Sequence, residues 1–412
     1  RTRLLYHHRR GKKGESVSSM NDEKKSPWGI LTGIRPAKIA MKLLTEGKTN
    51  DEIIAYFTGV CGTTAQKAAL VLETARQELP VKQAMYPDGI SLYIGIPFCP
   101  TRCLYCSFVT CGTRQAAKLI PDYLACLNKE IAHAGALTAR SGKRIETVYI
   151  GGGTPTTLNA EQLSVMLSQI RDCFDLSHCR EFTVEAGRPD TVTADKLNVL
   201  KQHRVSRISI NPQSMNEKTL HIIGRAHTPA QIRDAVALAR SCGFDNINMD
   251  VIAGLPGETP DDFRHTMEEV EALSPENTTV HTMSVKRSSR LHEYLDQYTL
   301  SDADTVEEMV DFAYAYLKTQ GKHPYYLYRQ KHQLGNLENV GYAKQGCDSL
   351  YNIYIMEELQ TILSLGCGGV TKTVDPVTDR IERIFNVKEP KDYIERIDEM
   401  LARKEHVFAP QR

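Results

Sequence analysis

From Ser91 to Gln320 the chain alternates short strand-like runs with longer helix-like runs, and this alternation limits the folds open to it. The runs SLYIGI at Ser91, ETVYI at Glu146, EFTVEA at Glu181, SRISI at Ser206, NINMDVI at Asn246 and TTVHTMSV at Thr278 are rich in β-branched and aromatic residues. Each precedes a stretch with apolar residues at helical spacing, over 122–136, 160–173, 194–201, 229–240, 260–273 and 303–320. Six β/α units in series predict an α/β fold with a parallel sheet and helices outside it. Either a doubly wound sheet or an incomplete (β/α)6 barrel satisfies that count. Polar residues at strand C-terminal ends favour the barrel, because barrel sites are built there.

Residues 85–332 are assigned to the barrel, with HPYYLYRQKHQ at His323 adding a last strand or a covering loop. Residues 26–84 read as an N-terminal helical unit. Pro36 opens one helix, Asn50 or Asp51 caps a second, and Thr63 or Thr64 caps a third. Nothing in this unit carries obvious chemistry, and packing accounts for Trp28 and Cys61. Residues 333–412 read as a mainly helical C-terminal cap domain closing one end of the barrel. It has a helix over 351–363, a Gly-rich turn at Gly366 and a charged amphipathic helix over 388–404. Residues 1–25 are basic and polar, without an apolar signal core, and read as a polar flexible segment. A net charge of +1 gives no reason to expect nucleic acid as a partner. No apolar run reaches the roughly eighteen residues of a membrane span. Cysteines scattered in apolar context suit the reducing environment of a cytoplasmic protein.

The first strand runs into chemistry. In LYIGIPFCPTRCLYCSF, residues 92–108, the strand breaks at Pro97 and delivers Cys99, Cys103 and Cys106 as C-x3-C-x2-C. No second pair follows at zinc-ribbon spacing. A bare triplet leaves zinc or redox roles open, but an iron–sulfur cube suits three close thiolates better. Three ligands for four irons leave one iron open to a substrate or cofactor. Cys111, as a fourth ligand, would close that iron, so it is left out of the set. After the second strand, Gly151-Gly152-Gly153-Thr154-Pro155 bares the backbone to a ligand, unless it is an ordinary flexible turn. It is no dinucleotide loop, since G-x-G-x-x-G is absent. Further strand ends carry Glu185, Gln213 and Asp250, with Arg225 after the fourth strand. Carboxylates, an amide and a guanidinium together suit a zwitterionic, ribose-bearing ligand.

The triplet, with Tyr105 before its last cysteine and GGGTP behind it, resembles the radical S-adenosylmethionine (SAM) superfamily. YxxIPFCxxxCxYCxF together with GGGTPT is similar to the family of oxygen-independent coproporphyrinogen III dehydrogenase (oxidase). WGILTGIRPAK at Trp28 resembles its HemZ-like subgroup. The likeness covers roughly residues 91–372. It implies a [4Fe-4S] cluster on Cys99, Cys103 and Cys106, with SAM on the open iron. It places Gly152, Gly153 and Thr154 at the methionyl amino group, and Glu185, Gln213, Arg225 and Asp250 at other parts of SAM. Tyr93 and Tyr105 flank cluster and cofactor, and Ser284 and Val370 are further contacts. The implied reaction takes hydrogen from a propionate of coproporphyrinogen III with a 5′-deoxyadenosyl radical. Loss of carbon dioxide and an electron leaves a vinyl group, in anaerobic haem biosynthesis. A tetrapyrrole substrate and an electron donor such as flavodoxin or ferredoxin are the implied partners.

Four propionates call for cations at the barrel mouth. Lys286, Arg287, Arg290, Arg329 and Lys331 are the expected supply, with Tyr325, Tyr326 and Tyr328 against the macrocycle. Tyr93, Arg287 and Arg329 are the residues expected at the reacting substrate. Two positions depart from the family pattern: Gly95 stands where a His is usual, and Phe108 where a fourth cysteine is usual. The alternatives are a haem-binding chaperone on the same scaffold and a radical haem-modifying enzyme.

Overall fold

The computed structural model describes residues 26–31, 35–107, 113–330, 333–375 and 378–408. The 1–25 segment, Phe108, Cys111 and Lys331 lie outside them. One eleven-stranded sheet organises the rest. Strands β1 (Gly89–Ile96), β2 (Arg144–Gly152), β3 (Glu181–Glu185), β4 (Arg207–Ser209), β5 (Ile247–Ala253) and β6 (Asn277–Thr282) lie side by side in chain order, all parallel. That order decides between the two topologies. A doubly wound sheet reverses direction part-way across, whereas this one winds one way, as an incomplete barrel does.

Helices α4 (Thr113–Ser141), α5 (Ala160–Cys173), α6 (Ala194–Gln202), α7 (Glu217–Ile222), α8 (Pro229–Ser241), α9 (Pro260–Ala272), α10 (Arg290–Glu293) and α11 (Ala303–Thr319) connect and follow the strands. Strand side chains alternate between two environments. Leu92, Ile94, Val148, Val184, Ile208 and Val251 share one core with helix residues such as Leu127, Leu163 and Phe263. The opposite face carries Tyr93, Tyr149, Glu185, Arg207, Asp250 and His281 and lines the barrel lumen.

The C-terminal region carries the expected helices, α12 (Leu350–Glu357), α13 (Pro390–Glu395) and α14 (Ile397–Glu405), and four strands besides. β7 (Lys322–Arg329) is the last strand foreseen at His323. It pairs antiparallel with β8 (Glu338–Lys344), which itself pairs with β6. At the other edge β9 (Ile362–Leu365) lies parallel to β1, and β10 (Val370–Val374) and β11 (Ile381–Phe385) follow antiparallel. This region therefore extends the sheet at both edges, where a cap over one end was expected. β9 is four residues long and reads as the tail of the preceding helical run. The single helix expected over 388–404 breaks at Arg396, whose φ of −114° is not helical.

Before β1 come α1 (Pro36–Thr45), α2 (Asn50–Ala55) and α3 (Ala65–Gln83). Thr49, one residue ahead of the expected cap, closes a capping box with Glu52, and Thr64 caps α3. The unit is bolted to the β7–β8 edge. Trp28 Nε1 donates to Glu338 at 2.7 Å, and Lys67 Nζ donates to Glu338 at 2.6 Å and to Asp311 at 2.8 Å. Among the described residues no helix is long and apolar enough to cross a membrane.

Where α3 meets α12, Glu78 and Glu357 are buried, and none of their four carboxyl oxygens has a hydrogen-bond partner. Burial pushes Glu78 well above its ordinary value, and the charge of Glu357 adds to this. Burial raises Glu357 to about 7 against the pull of Arg35 and Lys38. Between the ordinary 4.5 and these raised values the folded chain holds more protons than the unfolded one, so the pair's contribution to stability falls as pH rises. Glu78→Gln is expected to stabilise the fold by ~1–3 kcal/mol, more at pH 8 than at pH 5. Thermal melts at both pH values check this, and an equal gain at the two would contradict it.

Candidate active site

Pro97 turns the chain out of β1, and four backbone hydrogen bonds hold the loop that follows. Gly153 N donates to Ile96 O at 2.8 Å and Thr154 N to Phe98 O at 2.7 Å. Leu104 N donates to Ile223 O and Leu291 N to Leu104 O, both at 2.9 Å. Three remote segments thus fix the cysteine loop at the C-terminal ends of the strands. The Cys99 thiol and Thr154 hydroxyl are hydrogen-bonded at 3.3 Å, and Arg188 Nη1 donates to Cys103 Sγ at 3.7 Å. Burial pushes the Cys99 thiol up to about 11, opposed by the Thr154 bond. Among the described residues no three Cys, His, Asp or Glu side chains form a ready metal-binding group. The thiols share one short loop beside the Arg188 guanidinium, and cluster ligation needs them as thiolates. Loading a metal there must release protons.

The glycine run is a latch and a cradle, which an ordinary flexible turn is not. Gly152 has φ +107°, in the region that favours glycine. A Cβ on Gly153 would lie 2.6 Å from Phe98 O and 2.9 Å from Ile96 O, and one on Gly151 would lie 2.8 Å from the Glu185 carboxylate. The bare backbone lets β2 approach the cysteine loop and leaves the space above Glu185 open.

Two adjoining cavities follow. The lumen cavity, about 380 Å³, takes Tyr93, Gly152, Glu185 and Asp250. A second, about 260 Å³, lies against the cysteine loop and takes Tyr105, Cys106, Gln213, Ser284 and Lys286. His281 and Tyr328 line both. The two lumen carboxyls differ. Burial raises Glu185 to about 7, although Tyr149 Oη donates to it at 2.7 Å. Burial also pushes Asp250 upward, but His281 at 3.7 Å and a 2.7 Å hydrogen bond from Asn248 outweigh it and leave the carboxyl below its ordinary value. Tyr149 stacks on Tyr351 with ring centres 4.4 Å apart, and Tyr93 stacks beside both.

Arg225 is buried and donates through Nη1 to Asn211 O at 2.5 Å and Gly187 O at 3.3 Å. Its Nε has no protein partner, nor has the buried Gln213 Oε1. Gln213 carries this amide on a backbone with φ +66°, strain that cores do not keep without cause. A leftover donor, a leftover acceptor, a glycine cradle and three thiols on one loop fit an amino-acid-like ligand beside an iron–sulfur cluster.

Several expected residues fall elsewhere, Arg290 and Tyr325 among them, since neither lines either cavity. Arg329 follows Tyr328 on β7, so strand alternation turns it away from the lumen. Its guanidinium donates to Leu31 O and Asn336 O and lies 4.9 Å over the Trp28 ring, joining the N-terminal unit to the barrel. Arg287 is exposed and lines neither cavity. Val370 opens β10, pairs with Phe385 and also lines neither. The sequence reading missed Tyr149, His281, Arg188 and Tyr351. Strand parity would have found the first two, since Tyr149 shares a face with Gly151 and His281 with Thr279. Arg188 follows the third strand end, where barrel chemistry collects. Nothing local announces Tyr351, which arrives from α12.

The profile of the radical SAM superfamily matches residues 93–270. The chain is 43% identical over 388 residues to the oxygen-independent coproporphyrinogen-III oxidase-like protein HemZ of Bacillus subtilis, covering 92% of this chain and 77% of that one. It is 31% identical over 304 residues to the heme chaperone HemW of the same organism, covering 71% and 76%. Among solved structures, coproporphyrinogen III oxidase (HemN) from Escherichia coli superposes with a TM-score of 0.60 at 24% identity, over 79% of this chain and 73% of that one.

Cys99→Ala, Cys103→Ala and Cys106→Ala are each expected to lose most of the iron bound on anaerobic reconstitution, while Cys111→Ala keeps it. Gly153→Ala retains every thiol but must push the loop off β2, and it too is expected to bind less iron. Iron assays on folded protein check this. Loss in Cys111→Ala equal to that in the triplet variants would contradict the three-ligand set.

Proposed function

Because the chain belongs to the radical SAM family of oxygen-independent coproporphyrinogen-III-oxidase-like proteins, we propose that it oxidatively decarboxylates propionates of coproporphyrinogen III to vinyl groups. The superfamily's cofactors are a [4Fe-4S] cluster and SAM. When bound, they supply a carbon-centred radical, made by one-electron reduction, that removes a substrate hydrogen. The observation that carries the proposal is the pair of unspent side-chain groups at the cysteine loop, Arg225 Nε and Gln213 Oε1, beside the bare glycine backbone.

Each residue then has a task. Cys99, Cys103 and Cys106 hold the cluster as thiolates. The Gly152–Gly153 backbone and Thr154 receive the amino-acid end of SAM, and Arg225 its carboxylate. Asp250, held ionised, accepts from ribose hydroxyls. Glu185, raised to about 7, takes or gives a proton near neutral pH. The Tyr93–Tyr149–Tyr351 stack offers a flat wall to a macrocycle. A Cβ at Gly95 would sit 3.1 Å from Cys367 O, so a side chain replacing this glycine is tightly confined. His281, lining both cavities, takes the imidazole role on the substrate side. A second reading, haem binding without turnover, draws its support from the similarity to HemW.

Anaerobic turnover with a chemical reductant tests the choice. Wild type is expected to give both 5′-deoxyadenosine and a vinyl product. Asp250→Ala should bind SAM about ten- to a hundredfold more weakly at unchanged iron content, the loss of a charge-assisted hydrogen bond. Wild type that makes 5′-deoxyadenosine and never a vinyl product would contradict decarboxylation. Tight stoichiometric haem binding in that sample would favour the chaperone.

A further inference from the structure

A third cavity, about 760 Å³, opens beside the lumen and is unexplained by the cofactor site. Its walls are Arg35, Lys38 and Ile39 of the N-terminal unit, the end of β7, Met356 of α12 and Arg383 of β11. Tyr328 and Met356 also line the lumen cavity, and Tyr328 and Gln330 also line the cavity at the cysteine loop. The third cavity is therefore an antechamber that adjoins both. Its volume lies within the roughly 300–1,000 Å³ of pockets that enclose a small organic ligand.

The charge of this antechamber is one-sided. Its described lining holds four cationic side chains, Arg35, Lys38, Arg329 and Arg383, and no acid. Arg329 spends its donors on backbone carbonyls and contributes charge alone. Glu358 is the nearby counter-charge, and it is shared three ways: Arg35 at 2.5 Å, Arg383 at 3.2 Å and Lys372 at 3.6 Å. One carboxylate against three cations leaves the cluster net positive, and exposed Lys38 adds to it; Glu357, the other acid near Arg35 and Lys38, is raised to about 7 by burial and offsets them only in part. Cations gathered from both ends of the chain around a single acid make a receptor for anionic groups. Guanidinium forks and carboxylates match in geometry.

Resting on the tetrapyrrole reading above, we propose that this antechamber holds the propionates that are not reacting. The N-terminal helical unit is then a specificity element that selects polycarboxylated macrocycles. Arg35 and Lys38 flank Pro36, which starts α1 and fixes both at the antechamber wall. The macrocycle would span Tyr328 between lumen and antechamber, one edge against the Tyr93–Tyr149–Tyr351 stack and its other propionates held by Arg35, Lys38 and Arg383.

Fluorescence titration of the anaerobic, cluster-loaded protein tests this, with coproporphyrin III (four propionates) and mesoporphyrin IX (two) as probes. Wild type is expected to bind the tetracarboxylate more tightly. Arg35→Gln/Arg383→Gln should narrow that preference by about tenfold or more, the loss of charge-assisted bonds. SAM cleavage without substrate should be unchanged. Lys38→Glu, at an exposed position, should narrow the preference in the same direction. A preference undiminished in both variants, with vinyl product still formed, overturns the antechamber and leaves the decarboxylase reading standing. Wild type that binds neither porphyrin overturns the tetrapyrrole reading and the antechamber with it.

Discussion

Two backbone hydrogen bonds, from Gly153 and Thr154 to Ile96 and Phe98, carry the arrangement. They clasp the end of β2 to the loop leaving β1, and so place three thiols over the barrel mouth. Only glycine permits the clasp, because any Cβ at 153 would strike the very carbonyls that accept. The Thr154 hydroxyl then meets the Cys99 thiol, so one short run both locates the loop and touches a cluster ligand. Cofactor site and fold share these bonds, and neither can be altered alone.

Inside this frame the barrel largely divides its side chains. Most outward positions of β1 to β6 are apolar and seal the helices. Inward positions are mostly tyrosines, carboxyls, amides and hydroxyls, with His281 and one arginine. Such a lumen is costly to build, because unpaired polar groups in a cavity lose water without full compensation. Two of the buried atoms without partners, Gln213 Oε1 and Arg225 Nε, lie at the cysteine loop, where a bound ligand repays that cost. The opposite shifts of Glu185 and Asp250 belong to the same economy. Asp250 receives enough donors to remain ionised, while Glu185, with Asp250 nearby, does not.

Much of this was legible in the sequence because it is local. Six alternating units, the cysteine spacing and the glycine run are all short-range patterns, and the strand order confirmed the barrel. Contributions from distant segments were not legible. β9 is too short to show a period, yet it flanks β1 along the strand that feeds the cysteine loop. Tyr351 joins the lumen stack from a helix near the C-terminus. Arg329 was misplaced for a different reason: charge near the mouth was weighed and strand parity was not. The N-terminal unit looked like packing alone, and α3 does pack. Its Arg35 and Lys38 become informative only once β7, α12 and β11 are seen to meet them around one cavity.

The central claim is that the cysteine loop and the lumen form one site in which an open iron meets SAM. The electron paramagnetic resonance spectrum of the reduced, reconstituted protein, before and after adding SAM, tests it most directly. The account predicts a [4Fe-4S]+ signal whose g values move on SAM addition in wild type, and that needs far more SAM to move in Asp250→Ala. A cluster signal that saturating SAM leaves unmoved in wild type would contradict it.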